Sequence, residues 1–152
     1  MHLVLVEPEI PANTGNVART CAVTGAELHL VKPLGFSVDD KHLKRAGLDY
    51  WHLLTIHYHN SLEEIFEAYP EHDFYFATTR GKRFYTEVAY GPEDFLVFGK
   101  ETAGLPVHIL NAYQESCIRI PMINNARSLN LSNSVAIVLF EALRQNNFYG
   151  LK

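Results

Sequence analysis

Three polar segments of the chain carry residues that could bind a ligand or support catalysis. The first runs from Asn13 to Arg19 and contains a glycine, two asparagines and an arginine. The second, Gly99–Pro106, has Glu101 between two glycines, and the third is Pro121–Asn133. Glycine lets a backbone approach a ligand closely, while asparagine and arginine supply hydrogen bonds. We therefore expect the functional site among these segments.

The Gly99–Pro106 segment differs from the GxGxxG pattern of dinucleotide sites, because Glu101 occupies the middle position. A carboxylate there would repel a pyrophosphate, which disfavours a nucleotide-dependent oxidoreductase. It would tolerate ribose hydroxyls or a cationic ligand such as a sulfonium, although a plain surface turn is the alternative. The Pro121–Asn133 segment is the stronger signal, since a long polar stretch before a buried helix is typical of backbone amides presented to a ligand.

Asn16 and Arg19 lie three residues apart and share one face of a predicted helix. Val17 and Cys21 share another face, which we expect to be buried. Arg19 is then directed away from the core, toward an anionic or hydroxyl-bearing substrate. A solvated or salt-bridged Arg19 without a functional role is the alternative.

Short apolar runs that alternate with helix-period segments must position these residues. The predicted strands are Leu3–Val6, Leu28–Val31, Leu53–Tyr58, Phe74–Ala77, Phe95–Phe98 and Cys117–Ile120. The first predicted helix has Asn13 as its N-cap and ends at Gly25, and a later one begins at Ser61, which forms a capping box with Glu64. The other predicted helices are Asp39–Ala46, Val107–Ala112 and Leu131–Gln145. This alternation predicts one three-layer α/β domain over residues 1–152 with a mainly parallel sheet, and ligands beyond the carboxyl ends of its strands.

The predicted last helix, Leu131–Gln145, is apolar on more than one side. One stripe at helical spacing suits packing on a sheet: Val135, Val138, Leu139, Ala142 and Leu143. Ile137 and Phe140 lie off that stripe. This pattern predicts a homodimer in which a second subunit covers them, and a loop packed there is the alternative.

The net charge of −4 argues against a protein that coats nucleic acid non-specifically. Two basic patches still permit local RNA contact: one holds Lys41, Lys44 and Arg45, and the other is Arg80–Arg83. No apolar stretch has the length of a membrane span or a signal-peptide core. We therefore expect a soluble, cytoplasmic protein without membrane contact.

The cysteines and histidines do not predict a metal site. Cys21 and Cys117 stand in apolar surroundings without CxxC or Cys/His spacing, so we interpret them as small buried hydrophobes. His57 and His59 alternate and could share one strand face as a metal pair. No third ligand is evident nearby, and we predict no metal.

Taken together, the three polar segments resemble the three motifs of SPOUT-class RNA ribose methyltransferases. The matching stretches are Asn13-x-Gly15-Asn16-x-x-Arg19, Phe98-Gly99-x-Glu101-x-x-Gly104-Leu105-Pro106, Ile120-Pro121-Met122 and Ser128-Leu129-Asn130-Leu131-Ser132-Asn133-Ser134. Two further stretches, from Glu7 to Asn16 and from Asp39 to Tyr50, resemble the small bacterial tRNA (cytidine/uridine-34)-2'-O-methyltransferases. The resemblance covers nearly the whole chain.

The resemblance implies a C-terminal trefoil knot, a homodimer and S-adenosylmethionine as cofactor. By position it implies cofactor contacts from Ala77, Gly99, Gly104, Ile120, Met122, Ser128 and Leu129. The chain departs from many relatives at Lys100 and Ala103, where they have proline and arginine, and at Phe140, where they often have tyrosine. An arginine contact from the glycine loop and a hydroxyl role at Phe140 are therefore not expected.

The expected activity is methyl transfer to the ribose 2'-hydroxyl of the wobble pyrimidine in the tRNA anticodon loop. The family resemblance places Arg19 at the catalytic centre. Because a guanidinium stays protonated in proteins, we interpret Arg19 as a fixed cation that stabilises the developing alkoxide or a phosphate, with Asn16 orienting it. Lys41, Lys44, Arg45 and Arg80 are the expected RNA contacts. The alternatives are 2'-O-methylation of another tRNA or rRNA nucleotide, and a catalytically idle RNA-binding module.

Overall fold

The computed structural model describes residues 1–37 and 53–152, which form seven β-strands and four α-helices. The predicted helix Asp39–Ala46 and the predicted RNA contacts Lys41, Lys44 and Arg45 lie outside the described residues. Among the described residues, no helix combines the length and apolar character that crossing a membrane requires.

The elements alternate along the chain much as the sequence predicts. The strands are β1 His2–Val6, β2 Glu27–Val31, β3 Ile56–His59, β4 Phe74–Ala77, β5 Arg83–Phe84, β6 Phe95–Phe98 and β7 Cys117–Arg119. The α-helices are α1 Pro11–Thr24, α2 Leu62–Ala68, α3 Val107–Ala112 and α4 Leu131–Gln145, and a 3-10 turn, Gln114–Ser116, precedes β7.

One sheet contains all seven strands in the order β3-β2-β1-β6-β4-β7-β5, and all six strand pairings are parallel. From β1 the chain adds β2 and β3 on one side, and the later strands all lie on the other. The strand order therefore reverses between β1 and β6, which is where open parallel sheets bind ligands. The carboxyl ends of β6, β4 and β7 are neighbours on this side.

Helices cover both faces of the sheet and give the predicted three layers. Leu3 and Leu5 of β1 pack on one face with residues of α1 and α4, including Val17 and Leu139. The alternate residues of β1 pack on the other face with α2 and α3. Because the strands are buried on both faces, their runs are continuously apolar rather than alternating. The predicted α/β class is confirmed.

The first helix begins two residues before its predicted cap. Its N-cap is Ile10, which makes no side-chain cap, and Pro11 occupies the first turn, where proline loses no helical hydrogen bond. Asn13 is already inside α1, so the prediction of Asn13 as N-cap is wrong. At the other end Gly25 has φ 74°, and the predicted left-handed ending is confirmed.

Two further predictions near β3 have different outcomes. The strand begins at Ile56 rather than Leu53, because its partner β2 starts at Glu27 and the first paired residues are Leu28 and Ile56. One of the two hydrogen bonds of the predicted capping box is confirmed, since the Ser61 hydroxyl accepts from the amide of Glu64 at 3.4 Å. The Glu64 carboxylate accepts instead from the amide of Asn60 at 2.8 Å.

The last helix has the predicted pattern of burial. All five residues of its stripe are buried, whereas Ile137 is 36% and Phe140 is 46% exposed. Cys21 and Cys117 are both buried and free, as predicted. Within this chain, α4 therefore presents a second apolar side to the surroundings.

Leu139→Ala is expected to lower the free energy of unfolding by about 2–5 kcal/mol, because the side chain is 0% exposed and its removal leaves a cavity. Leu53→Ala is the matched control, since that side chain is 57% exposed, and should change it by less than about 1 kcal/mol. Urea denaturation followed by circular dichroism measures both. Equal losses for the two variants would contradict the packing described.

Candidate cofactor and catalytic site

A cavity of about 650 Å³ opens at the carboxyl ends of β4, β6 and β7. Its volume lies within the range of roughly 300–1,000 Å³ that is common for small-molecule sites. Its walls combine apolar side chains such as Ile118 and Val138 with the backbone of three loops. These loops follow the three neighbouring strands, so the sheet order itself brings them together.

The structure places every predicted cofactor residue in the wall of this cavity: Ala77, Gly99, Gly104, Ile120, Met122, Ser128 and Leu129. Thr78, Thr79 and Arg80, from the loop after β4, line it as well. The predicted residues are distant in sequence, yet they lie around one space. Their contacts with a cofactor remain a prediction.

The backbone of the loop after β6 requires glycine at both Gly99 and Gly104. A Cβ on Gly99 would lie 2.1 Å from the carbonyl carbon of Gly104, a backbone atom that cannot move aside. Gly104 has φ 70°, and its amide donates to the carbonyl of Lys100 at 2.8 Å. The loop is therefore a closed turn: a side chain at Gly99 would push its two ends apart, and a side chain at Gly104 would strain the backbone because of the positive φ.

The carboxylate of Glu101 holds this loop against the start of α1. Its Oε2 accepts from the amide of Glu9 at 2.8 Å. Its Oε1 accepts from the amide of Ile10 at 3.2 Å and from Nδ2 of Asn13 at 3.0 Å. A negative charge at a helix N-terminus also interacts favourably with the helix dipole. Glu101 therefore binds the residues that lead into α1, and both of its carboxylate oxygens accept hydrogen bonds from the protein itself.

Asn13 extends this contact to the third loop. Its Oδ1 accepts from Nδ2 of Asn130 at 3.0 Å. Asn130 in turn caps α4, because its Oδ1 accepts from the amides of Ser132 at 2.9 Å and Asn133 at 3.3 Å. The Glu101–Asn13–Asn130 relay thus joins the loop after β6, the start of α1 and the start of α4. Asn13 is 6% exposed, so little water competes for these bonds.

A second pair of contacts ties the segment before α1 to the same loop. Glu9 accepts from the amide of Thr102 at 3.0 Å and from its hydroxyl at 2.8 Å, and these bonds lower the pKa of the Glu9 carboxyl. Nζ of Lys100 lies 2.7 Å from Oε2 of Glu7, whose hydrogen bond and charge raise the pKa of Lys100. Lys100, which departs from the pattern of many relatives, therefore acts here as an ion-pair partner.

The predicted catalytic residues occupy a different surface. Asn16 and Arg19 are exposed on α1, and neither is among the described residues that line the cavity. Val17 and Cys21 are buried, as expected for the other face of the helix. One chain alone therefore does not bring the predicted catalytic and cofactor residues together.

Two arginines that the sequence analysis did not single out, Arg119 and Arg127, line the cavity beside Arg80. Arg119 also lies over the ring of Phe84, with its guanidinium carbon 4.8 Å from the ring centroid. Arg127 stands inside the third polar segment and could have been found there. Arg119 is part of a short strand and gives no such signal.

The chain matches the SpoU rRNA Methylase family over residues 1–140. It is 55% identical over 155 residues to a Bacillus subtilis (strain 168) protein, and the match covers 100% of this chain and 97% of that protein. The B. subtilis protein carries the provisional name tRNA (cytidine(34)-2'-O)-methyltransferase.

Solved structures agree with the sequence matches. One, from work on 2'-hydroxyl methylation of C/U34 on tRNA, has a TM-score of 0.92 and 43% identity, covering 96% of this chain and 95% of that one. An rRNA methyltransferase from Sinorhizobium meliloti, solved with AdoMet bound, has a TM-score of 0.82 and 28% identity, covering 94% of this chain and 55% of that one. The fold is therefore shared with methyltransferases.

Glu101→Ala is expected to lower the free energy of unfolding by about 2–3 kcal/mol, because three donors lose a charged acceptor. Glu101→Gln keeps one carbonyl oxygen and should fall between the variant and the original chain. Glu71→Ala, at an exposed position, is the control and should change stability by less than about 0.5 kcal/mol. Urea denaturation compares the three variants, and equal stabilities would exclude the relay as a structural element.

Proposed function

This chain belongs to the SpoU rRNA methylase family, and we infer that it transfers a methyl group from S-adenosylmethionine to the ribose 2'-hydroxyl of the pyrimidine at position 34 of tRNA. The observation that carries this inference is the convergence of all seven predicted cofactor residues on one cavity. The choice of position 34 follows the names of the B. subtilis relative and of the structural neighbour from work on C/U34 methylation. The trefoil knot and a cytoplasmic location, where tRNA is found, are part of the same proposal.

The cavity suits S-adenosylmethionine. Apolar side chains such as Leu105, Leu129 and Val138 offer surfaces for a purine ring, and the surrounding loops offer backbone amides and carbonyls for its polar groups. When bound, S-adenosylmethionine supplies the methyl group from a sulfonium. We propose that Ala77, Gly99, Gly104, Ile120, Met122, Ser128 and Leu129 hold it.

Arg19 is proposed to stabilise the negative charge that develops on the ribose oxygen, or the phosphate beside it. A guanidinium is a poor base because it stays protonated, whereas a fixed cation close to a developing alkoxide lowers the barrier directly. Asn16 shares the exposed face of α1 with Arg19 and is proposed to orient it. Holding the hydroxyl at attack distance contributes further.

A homodimer would bring Arg19 to the cavity of the other subunit. α1 and α4 pack against each other on the same side of the sheet. Val23 of α1 is 51% exposed, and Ile137 and Phe140 of α4 are exposed as well, so apolar residues of both helices face outward. Burying them against a second copy places Asn16 and Arg19 in or beside the interface. The active site is then built from two chains.

The RNA is proposed to bind across the positively charged rim of the cavity. Arg80, Arg119 and Arg127 are all exposed and all line it. Guanidinium groups bind phosphates and stack on the exposed bases of single-stranded loops, such as an anticodon loop. Lys41, Lys44 and Arg45, which lie outside the described residues, are proposed as further RNA contacts on the basis of their charge.

Methyl transfer to defined RNA tests the proposed activity. The protein is incubated with labelled S-adenosylmethionine and unmodified tRNA transcripts, and nucleosides are analysed at each position. We expect 2'-O-methylcytidine or 2'-O-methyluridine at position 34 alone, since the relatives are named for that nucleotide.

The matched control is the same tRNA with a 2'-deoxynucleotide at position 34, which lacks the accepting oxygen and should remain unmethylated. Methylation at another nucleotide would show that position 34 is not the nucleotide that this protein methylates. No transfer to any RNA would support the idle RNA-binding module instead.

Mixed dimers test whether Arg19 acts across the interface. Arg19→Ala alone should lower kcat by about 10²–10³-fold with cofactor affinity retained, because a charge-stabilising donor is lost. Ser128→Trp, at an exposed position in the cavity wall, should block cofactor binding without unfolding the chain.

When the two inactive variants are co-expressed with different tags, the mixed dimer should regain one working site. That site combines the open cavity of the Arg19→Ala chain with Arg19 from the other chain. Mixed dimers as inactive as both parents would show that Arg19 acts within its own subunit.

A further inference from the structure

Three potential metal ligands lie at the opposite end of the sheet from the cavity. His2 and Glu27 are register partners at the start of β1 and β2, and His29 follows two residues later on β2. One ligand atom from each lies within 4.8 Å of the others. None of these three residues, here called the histidine cluster, lines the cavity.

We propose that the histidine cluster binds one divalent transition-metal ion of the zinc class, through Nδ1 of His2, Nε2 of His29 and the carboxylate of Glu27. Zinc bonds of about 2.0–2.1 Å separate tetrahedral ligand atoms by about 3.3 Å. Nδ1 of His2 lies 3.1 Å from Nε2 of His29 and 3.9 Å from Oε2 of Glu27. Small side-chain rotations therefore complete the geometry, and zinc accepts this set of donors.

The outer nitrogen of each imidazole has an acceptor of its own, as metal-bound histidines commonly do. Nδ1 of His29 lies 2.9 Å from Nε2 of His59, and Nε2 of His2 lies 3.3 Å from Oε2 of Glu93. If both outer nitrogens donate to these acceptors, the inner lone pairs of His2 and His29 face each other at 3.1 Å. A zinc ion bound to both nitrogens, after small rotations of the two side chains, would use both of these lone pairs.

Both imidazoles are enclosed by the protein. His2 is 6% and His29 is 0% exposed. The Glu27 side chain is 40% exposed, which gives the ion a path from solvent. Nε2 of His57, 2.7 Å from Glu27, or a water molecule is available as fourth ligand.

Sheet register explains why the sequence predicted no such site. His57 and His59 on β3 lacked a third ligand nearby in the sequence. In the sheet, His29 pairs with His57 and lies beside β3, and His2 comes from the strand beyond. In this arrangement His59 supports His29 from outside, and the principal ligands come from β1 and β2.

Metal titration of the full chain tests the proposal. After dialysis against a chelator, Co²⁺ is added as a spectroscopic probe and Zn²⁺ binding is followed by calorimetry. We expect one ion per chain, the visible absorption of four-coordinate Co²⁺, and a higher Tm with Zn²⁺ because the ion binds only the folded chain. No binding at one ion per chain would overturn the proposal.

Variants with little effect on folding locate the ion. Glu27→Gln should weaken Zn²⁺ binding more than about tenfold, and Glu93→Gln about tenfold, because even the loss of an outer partner costs about 10–100-fold. Glu67→Gln on α2, at an exposed position, should leave the affinity unchanged. Circular dichroism checks that each variant is folded. If Glu27→Gln and Glu67→Gln bind equally well, the ion is held elsewhere and the histidines form only a hydrogen-bonded network.

Discussion

The carboxylate of Glu101, bound at the start of α1, links the segments that surround the cavity. Glu101 accepts three hydrogen bonds from the segment that opens α1, and Asn13 passes the contact to Asn130, which caps α4. The relay links the loop after β6 to the end of the third loop at Asn130. The order of the strands places the loop after β4 beside them, and the amide of Thr78 in that loop donates to the carbonyl of Ile118 on β7 at 2.9 Å.

The two ends of the parallel sheet carry different side chains, because loops leave the sheet at one end and the strands lie in register at the other. At the carboxyl ends, loops leave the sheet and present backbone groups and arginines around an open cavity. At the amino ends of β1 and β2, parallel register places His2 opposite Glu27, and His29 follows two residues later on β2, which brings the three side chains close together. The proposed cofactor site and the proposed metal site therefore share no residues.

The sequence predicted the parts that depend on local patterns. Continuous apolar runs identified most strands, and the stripe of α4 identified its buried face. The role of Glu101 was not predictable, because its partner Asn13 stands 88 residues away and only the fold joins them. The histidine cluster was missed for the same reason. The resemblance supplied the predicted cofactor residues. The proposed catalytic role of Arg19 depends on a second subunit, which the apolar pattern of the last helix predicted without indicating which residues that subunit would bring to the cavity.

A crystal structure with S-adenosylhomocysteine bound would show where the cofactor lies. We expect the ligand in the cavity beyond β4, β6 and β7, against the loops that hold Gly99, Ile120 and Ser128, with all three hydrogen bonds of Glu101 retained. A ligand bound elsewhere would contradict the proposed site. A Glu101 carboxylate that leaves α1 to contact the ligand would contradict the relay as the element that positions it.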